Sequence, residues 1–402
     1  MARPQLSTYF EGIASKQLSA VEAHPERSNQ HEFNGDSGLR SMLGPDKQRF
    51  PTQFIYLGED EDETLVAEGI VTWYDARDND PIRSEYRLYF PATSVSEAAA
   101  EGDRVVFGKR TDGTIMVIVA LAGSTAENQL IWLFGLKAPV NGFDVHRIDA
   151  ESDLEFGFAA RQILRQLGID PQVEPDDFYL DEMLRRFNQQ FPTTKAFSAF
   201  ARETLRDTSS LDGPDDAIIA WMEREEALFR TLEHYLITLR LEAGFVDVDS
   251  FISYSLGVQN RRKARAGHAL ENHLEHAFGE HGLVFKRNGR TENKSKPDFI
   301  FPGEEAYHDP MFPVEELAML GVKRTCKDRW RQVLAEAEKI PLKHLLTLEP
   351  GISEHQTREM KTKMLQLVVP KPIHPTYNEA QQKWLMSITS FIKYVHGRRQ
   401  GP

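Results

Sequence analysis

Between Gln53 and Leu136, short apolar runs alternate with turn signals. The runs QFIYL, TLVAEGIVTWYDA, EYRLYF, RVVFG, TIMVIVALA and LIWLFGL are rich in β-branched and aromatic residues, and breaks such as Asn79–Pro81 and Thr111-Asp112-Gly113 separate them. This spacing predicts a barrel or sandwich of short strands. The first 50 residues are polar and mixed, and are expected to add helices or an arm. From Asp149 to Leu167, the residues Leu154, Phe158, Ile163, Leu164 and Leu167 fall at helical spacing, and a Pro- and acid-rich stretch from Asp170 to Asp177 then interrupts the pattern.

Downstream, Asp181–Phe187 and Ala217–Leu241 have helical apolar periodicity. After Val246 helices alternate with short buried strands. A helix from about Arg262 to Phe278 precedes LVF and KPDFIF, and LAMLGVK leads into a helix expected from Lys327 to Lys339. HLLTL and LQLVV follow as strands on either side of a helix around Ser353–Lys363, and a last helix runs from about Glu379 to Val395. Such alternation gives an α/β sheet with helices on both faces. The expected organisation is multidomain, with a β-rich N-terminal domain at 1–150, a helix and linker at 151–180, and an α/β domain at 181–402 whose lead-in, 181–245, is helical.

Composition narrows the class. With 402 residues, 40% of them apolar, the chain is long enough for two or three domains with buried cores. The longest apolar run, Ile115–Ala122, falls far short of the ~20 residues that cross a bilayer, and the start MARPQLSTYFEG has no apolar signal core. A single cysteine, Cys326, excludes a disulfide framework and suits a reducing compartment, so the expected location is the cytoplasm without membrane attachment. The net charge of −13 argues against nonspecific coating of nucleic acid, but its distribution does not. Arg261–Arg265, Lys286–Lys296 and Lys323–Arg331 together hold 14 Lys or Arg and two acids. These basic stretches flank one acidic constellation and point to a polyanionic partner.

Several chemistries fail on spacing. Gly102–Lys109 has five residues between its glycines where a phosphate-binding loop needs four, and Arg110 stands where Ser or Thr would hold magnesium. His273 and His276 are three apart, not four as in zinc proteases. Phosphodiester hydrolysis is better supported. It needs carboxylates for a hard cation and an ammonium near the attacked phosphorus, and Asp298 at the start of a strand and Lys323 at the end of the next supply both types.

Asp298, Lys323 and the strands around them resemble the PD-(D/E)xK nuclease superfamily, with one departure. The acid expected two residues before the lysine is Gly321, so either the site is dead or another carboxylate replaces it. Glu336 is the candidate, because Arg329, Gln332, Val333 and Glu336 would share one face of the expected helix. The stretch from KSKPDFIF to LAEAEKI, the preceding NRRKARAGHALENHLEHAF and the later HLLTLEPGISE and LVVP are similar to the catalytic domain of EcoRII-type restriction endonucleases. The resemblance covers about Val246–Pro370 and implies a mixed central sheet flanked by helices. It assigns Asp298, Lys323, Glu336 and Tyr307 to catalysis, Asp298, Glu336 and Glu271 to Mg²⁺, and Lys327, Asp328 and Arg329 to reading CC/GG. Arg and Lys donate to guanine while Asp accepts from cytosine. Arg262, Lys263 and Arg265 are expected on phosphates, which position without specifying sequence.

The resemblance implies a type II site-specific deoxyribonuclease acting on double-stranded DNA as a homodimer, cutting a CCWGG-like site and leaving 5′-phosphates. The first half is weakly similar to the DNA-binding pseudobarrel superfamily. A second DNA site, a modified-base reader, a regulatory lid or a partner-binding module all fit there. A nonspecific or structure-selective repair nuclease and a catalytically silent DNA-binding regulator are the alternatives.

Overall fold

A computed structural model describes residues 5–23, 31–59, 63–78, 80, 82–137, 142–148, 157–171, 177–326 and 329–398, without the side chains of Asp177 and Lys263. Lys327, Asp328, the Lys263 side chain, Leu154 and most of the Pro-rich stretch therefore lie outside the described residues. The chain divides into two compact units, one of Ala2–Gln172 with Pro350–His355, the other of Val173–Glu349 with Gln356–Pro402. Among the described residues no helix is long and apolar enough to cross a membrane.

The first unit is built on β1 (Phe10–Gln17), β2 (Glu32–Asn34), β3 (Gln48–Leu57), β4 (Leu65–Asp75), β5 (Tyr86–Tyr89), β6 (Arg104–Arg110), β7 (Ile115–Ala120) and β8 (Asp144–Arg147). They form one sheet in the order β2-β5-β4-β3-β7-β6-β1-β8. All its pairings are antiparallel except β3 with β7. Every residue of β7 is buried, because its alternating side chains enter two cores. Ile115, Val117 and Val119 join Phe33, Trp73 and Phe107. Met116 and Ile118 join Phe10, Leu130 and Ile163 on the other face. A strand covered on both faces reads as a continuous apolar run.

Two expectations for this unit need correction. The first 50 residues are no arm, since β1 lies inside the sheet between β6 and β8. LIWLFGL is not a strand but the end of helix Thr125–Phe134, which Ser124 caps through its hydroxyl and Gly135 closes in the left-handed region. Its buried Leu130, Leu133 and Phe134 recur at i, i+3 and i+4, the spacing of a helix face. Arg104 is buried in this unit, and its guanidinium pairs with Glu127 at 2.9 Å.

The second unit holds β9 (Lys286–Arg287), β10 (Phe299–Phe301), β11 (Ala318–Lys323), β12 (Lys343–Thr347) and β13 (Leu365–Val368). Their order is β13-β12-β11-β10-β9. β10 is antiparallel to both neighbours, whereas β11, β12 and β13 run parallel, so the sheet is mixed. Phe299 and Phe301 pack on Phe278 of helix Val248–Glu280 and, through Phe301, on Phe391 of helix Ile388–Arg398. Helices Thr194–Glu203, Pro214–Glu242 and Val248–Glu280 form the helical lead-in. The first went unread in the sequence, and the last is far longer than the expected Arg262–Phe278. The expected terminal helix is two, Glu379–Trp384 and Ile388–Arg398.

Candidate functional site

The register of the second sheet builds the site. Phe299 stands opposite Leu320, so one step back along β10 Asp298 comes level with Gly321. Side chains alternate across a pleated strand. Asp298, Gly321 and Lys323 therefore lie on the face opposite Phe299. Lys323 Nζ is 3.4 Å from Asp298 Oδ2, and the Val322 N–H donates to the same oxygen at 2.6 Å. Two strands and one backbone amide thus fix the Asp298 carboxylate.

Gly321 is covered by Val333. A Cβ placed on Gly321 would fall 2.9 Å from Val333 Cγ2, closer than real side chains approach. The segment that contributes Val333 also delivers Glu336, but not by the expected route. The helix is only Trp330–Val333, and Arg329 is its N-cap residue. Beyond it Leu334, Ala335 and Glu336 donate to carbonyls three residues back, and Ala337 turns out of the helix at φ 49°. Glu292 accepts from the Glu338 N–H, and the Tyr307 hydroxyl accepts from the Lys339 N–H. These two contacts hold the turn that the helix would have continued through.

Electrostatics join Glu336 to the other two. Burial pushes its carboxyl up to about 7, opposed by the Lys323 ammonium and aided by the charge of Asp298. Burial likewise raises Asp298, against the pull of Lys323 and the Val322 N–H. Glu336 Oε2 is buried and has no hydrogen-bond partner among the described residues. An orphaned buried carboxylate oxygen beside a second carboxylate of raised pKa is the environment that a cation relieves. Asp and Glu oxygens are hard donors. Among the described residues no group of three His, Cys, Asp or Glu converges.

Other expected residues are placed elsewhere. Tyr307 is fully buried and its hydroxyl donates to Glu292, with burial and that carboxylate holding it protonated. It braces the turn after Glu336 and makes no described contact with Asp298 or Lys323. Glu271 adds its charge to the field at Asp298, but its carboxylate is engaged by Arg287 at 2.6 Å. Arg265 is buried, paired with Glu225 and Glu226 and stacked over Phe229, so its guanidinium is withdrawn from any phosphate. Arg262 is half exposed and bound to Glu233. Arg329 is exposed. Sequence reasoning missed Glu292, and no spacing signal announces it. It also missed Val333 as the reason for Gly321, which the pairing of a glycine strand with an apolar helix could have suggested.

Residues 229–392 match the family model described as EcoRII C terminal. A type II restriction enzyme, EcoRII of Escherichia coli, is 48% identical over 190 residues, 47% of this chain and 47% of the relative, so the chain spans about half the length of that curated relative. Similar solved structures are metal-depleted Ecl18kI in complex with uncleaved DNA and a PspGI-substrate DNA complex. The first is 17% identical with a TM-score of 0.45, over 57% of this chain and 86% of that one. The second is 15% identical with a TM-score of 0.41, over 57% and 95%. The stretch of the second unit that matches this family model, residues 229–392, includes Asp298, Lys323 and Glu336.

Proposed function

We propose that the second unit is a sequence-specific, magnesium-dependent type II restriction endonuclease, hydrolysing both strands of duplex DNA at a CC/GG-containing, CCWGG-like site and leaving 5′-phosphates. The observation that carries this reading is the pairing of Asp298 with Lys323 on one sheet face and the electrostatic coupling of both to Glu336, whose buried carboxylate oxygen nothing described satisfies. The likeness to a type II restriction enzyme supports it.

Asp298 and Glu336 are the residues that would hold Mg²⁺, which when bound supplies Lewis-acid stabilisation of the phosphate and a more acidic water. Two carboxylates leave the rest of an octahedral shell to water and substrate oxygens, which suits Mg²⁺. Lys323, beside Asp298, orients the incoming water and offsets charge at the pentacoordinate phosphorus. The water oxygen bonds to phosphorus, the bond from phosphorus to O3′ breaks, and O3′ departs with a proton. Val322 fixes Asp298 so that this geometry is in place before DNA arrives.

Lys327, Asp328 and Arg329 read guanine and cytosine edges in this proposal, and Arg262 touches phosphate by exchanging it for Glu233. Cutting both strands of a near-palindromic site calls for a two-fold homodimer. The first unit modulates DNA recognition or activity through a second DNA site or a modified base. The single cysteine, Cys326, is a buried free thiol, which suits a reducing cytoplasm.

The test is incubation with a sequenced duplex and Mg²⁺, followed by mapping of the ends. Discrete cuts with 5′-phosphates at a CC/GG-containing sequence are expected. Cuts at random positions would replace this reading with a nonspecific nuclease, and site-specific binding without cuts would replace it with a silent regulator.

A further inference from the structure

Lys343 opens β12 with 8% of its surface exposed, which leaves an ammonium almost wholly inside the second unit. Strand register sets its direction. Gly321 pairs with Leu345 and Lys323 with Thr347 in the parallel ladder, so Lys343, two residues before Leu345, lies on the same face as Gly321, Lys323 and Asp298. Val333 covers that face at Gly321. The chemistry proposed above gives this lysine no task.

A buried ammonium needs hydrogen-bond partners, and Lys343 finds them in one place. Its Nζ donates to the Ile340 carbonyl at 2.9 Å and to the Ala337 carbonyl at 3.4 Å. Ala337 directly follows Glu336, and its φ of 49° is a conformation that a residue with a side chain keeps only where its surroundings hold it. The Ile340 N–H also donates to the Ala337 carbonyl, so the turn after Glu336 closes around that oxygen.

The charges around Lys343 belong to the same turn. Burial draws its ammonium below the usual lysine range, and Glu292, Glu338 and Glu336 oppose that fall. Glu336 and Glu338 are in the turn, and Glu292 braces it by accepting from the Glu338 N–H. An apolar side chain of like length would fill the place without the penalty of burying a charge. It would not tie two carbonyls of the Glu336 turn to β12.

We infer that Lys343 is the positioning residue of Glu336: by clamping the Ala337 and Ile340 carbonyls to β12, it sets where the Glu336 carboxylate stands to receive a divalent cation. The inference rests on Glu336 as a metal-holding residue and adds what holds Glu336. Its sign is informative. By charge alone a lysine ammonium repels a divalent cation, so its removal would tighten metal binding. As a clamp it orients a ligand, so its removal weakens metal binding.

The test is titration of the full chain with Mn²⁺ as the probe cation at pH 8, the free ion being counted by electron paramagnetic resonance. Wild type, Glu336→Ala, Lys343→Met and the double variant are compared, with folding checked by circular dichroism. Lys343→Met is expected to bind Mn²⁺ ~10-fold or more weakly, the loss typical of a residue that orients a metal ligand. In the Glu336→Ala background the same substitution is expected to add no further loss, because the clamp acts through Glu336. Affinity in Lys343→Met equal to or tighter than wild type would overturn the inference, and so would an equal loss in both backgrounds. Wild-type affinity in Glu336→Ala would instead remove the metal role of Glu336, and the inference with it. Should Lys343→Met misfold, adding Ala337→Gly eases the left-handed residue, and the loss is then read against Ala337→Gly alone.

Discussion

Val333 occupies the space that a side chain at position 321 would take, with its Cγ2 2.9 Å from where a Gly321 Cβ would lie. Backbone and apolar side chain fill that volume, so it has no room for a carboxylate, and Glu336 on the same segment brings one in from above the sheet. Gly321→Ala is expected to lower stability by about 1–3 kcal/mol through overpacking. Val333→Ala made in the same chain should recover part of that loss, because it removes the methyls in conflict. Urea denaturation of the two single variants and the double variant measures the coupling, and purely additive losses would contradict the packing argument.

Glu336 links pH to stability. Its folded carboxyl titrates near 7, against an ordinary value of 4.5. Between those values the folded state binds the extra proton, so stability is lost as pH rises from ~4.5 to 7 and is not regained above it. Glu336→Gln should reduce that slope, leaving the share of Asp298, and stabilise the metal-free protein at pH 8 by about 1–2 kcal/mol, allowing for partial solvent screening. Denaturation at pH 5 and pH 8 checks this. An equal effect of the substitution at both pH values would refute it.

Tyr307 acts on the turn after Glu336 and not on the reacting atoms. Tyr307→Phe removes the donor to Glu292 and the acceptor for the Lys339 N–H, and should cost about 1–3 kcal/mol of stability. Cleavage by the folded variant should stay within roughly tenfold of wild type. Lys323→Ala should fall by ~100-fold or more. Single-turnover rates separate the two, and a Tyr307→Phe loss as deep as that of Lys323→Ala would return the tyrosine to the catalytic set.

Arg265 and Arg329 should part in the same way. Arg265→Ala takes a buried guanidinium away from Glu225 and Glu226, which keep their contacts with His273 and Arg230, and should destabilise by about 3 kcal/mol, with little change in the salt dependence of DNA binding. Arg329→Ala should leave stability nearly unchanged and relax choice at one base pair by about 1–3 kcal/mol. Binding titrations on single-base variants of the site, at two salt concentrations, test both.

Much of this was legible in the sequence because it is local. The strand KPDFIF, the strand LAMLGVK and the positions of Asp298 and Lys323 follow from short apolar runs and their ends. That the helix expected to carry Glu336 ends at Val333 was not legible. The helix is stopped by Glu292 and Tyr307, which contact it from segments far away in the sequence. LIWLFGL was misread for a different reason: apolar content outweighed the Ser124 and Gly135 caps that mark a helix. Arg265 looked like a surface cation because charge runs carry no record of the acids that helix packing brings against them.

The most direct test of the central claim is the cleavage rate of Glu336→Ala at the mapped site, with binding to the same duplex measured alongside. The account predicts that the variant still binds the site and that cutting falls by ~100-fold or more. Retained cutting at that site by a protein without the Glu336 carboxylate would contradict it.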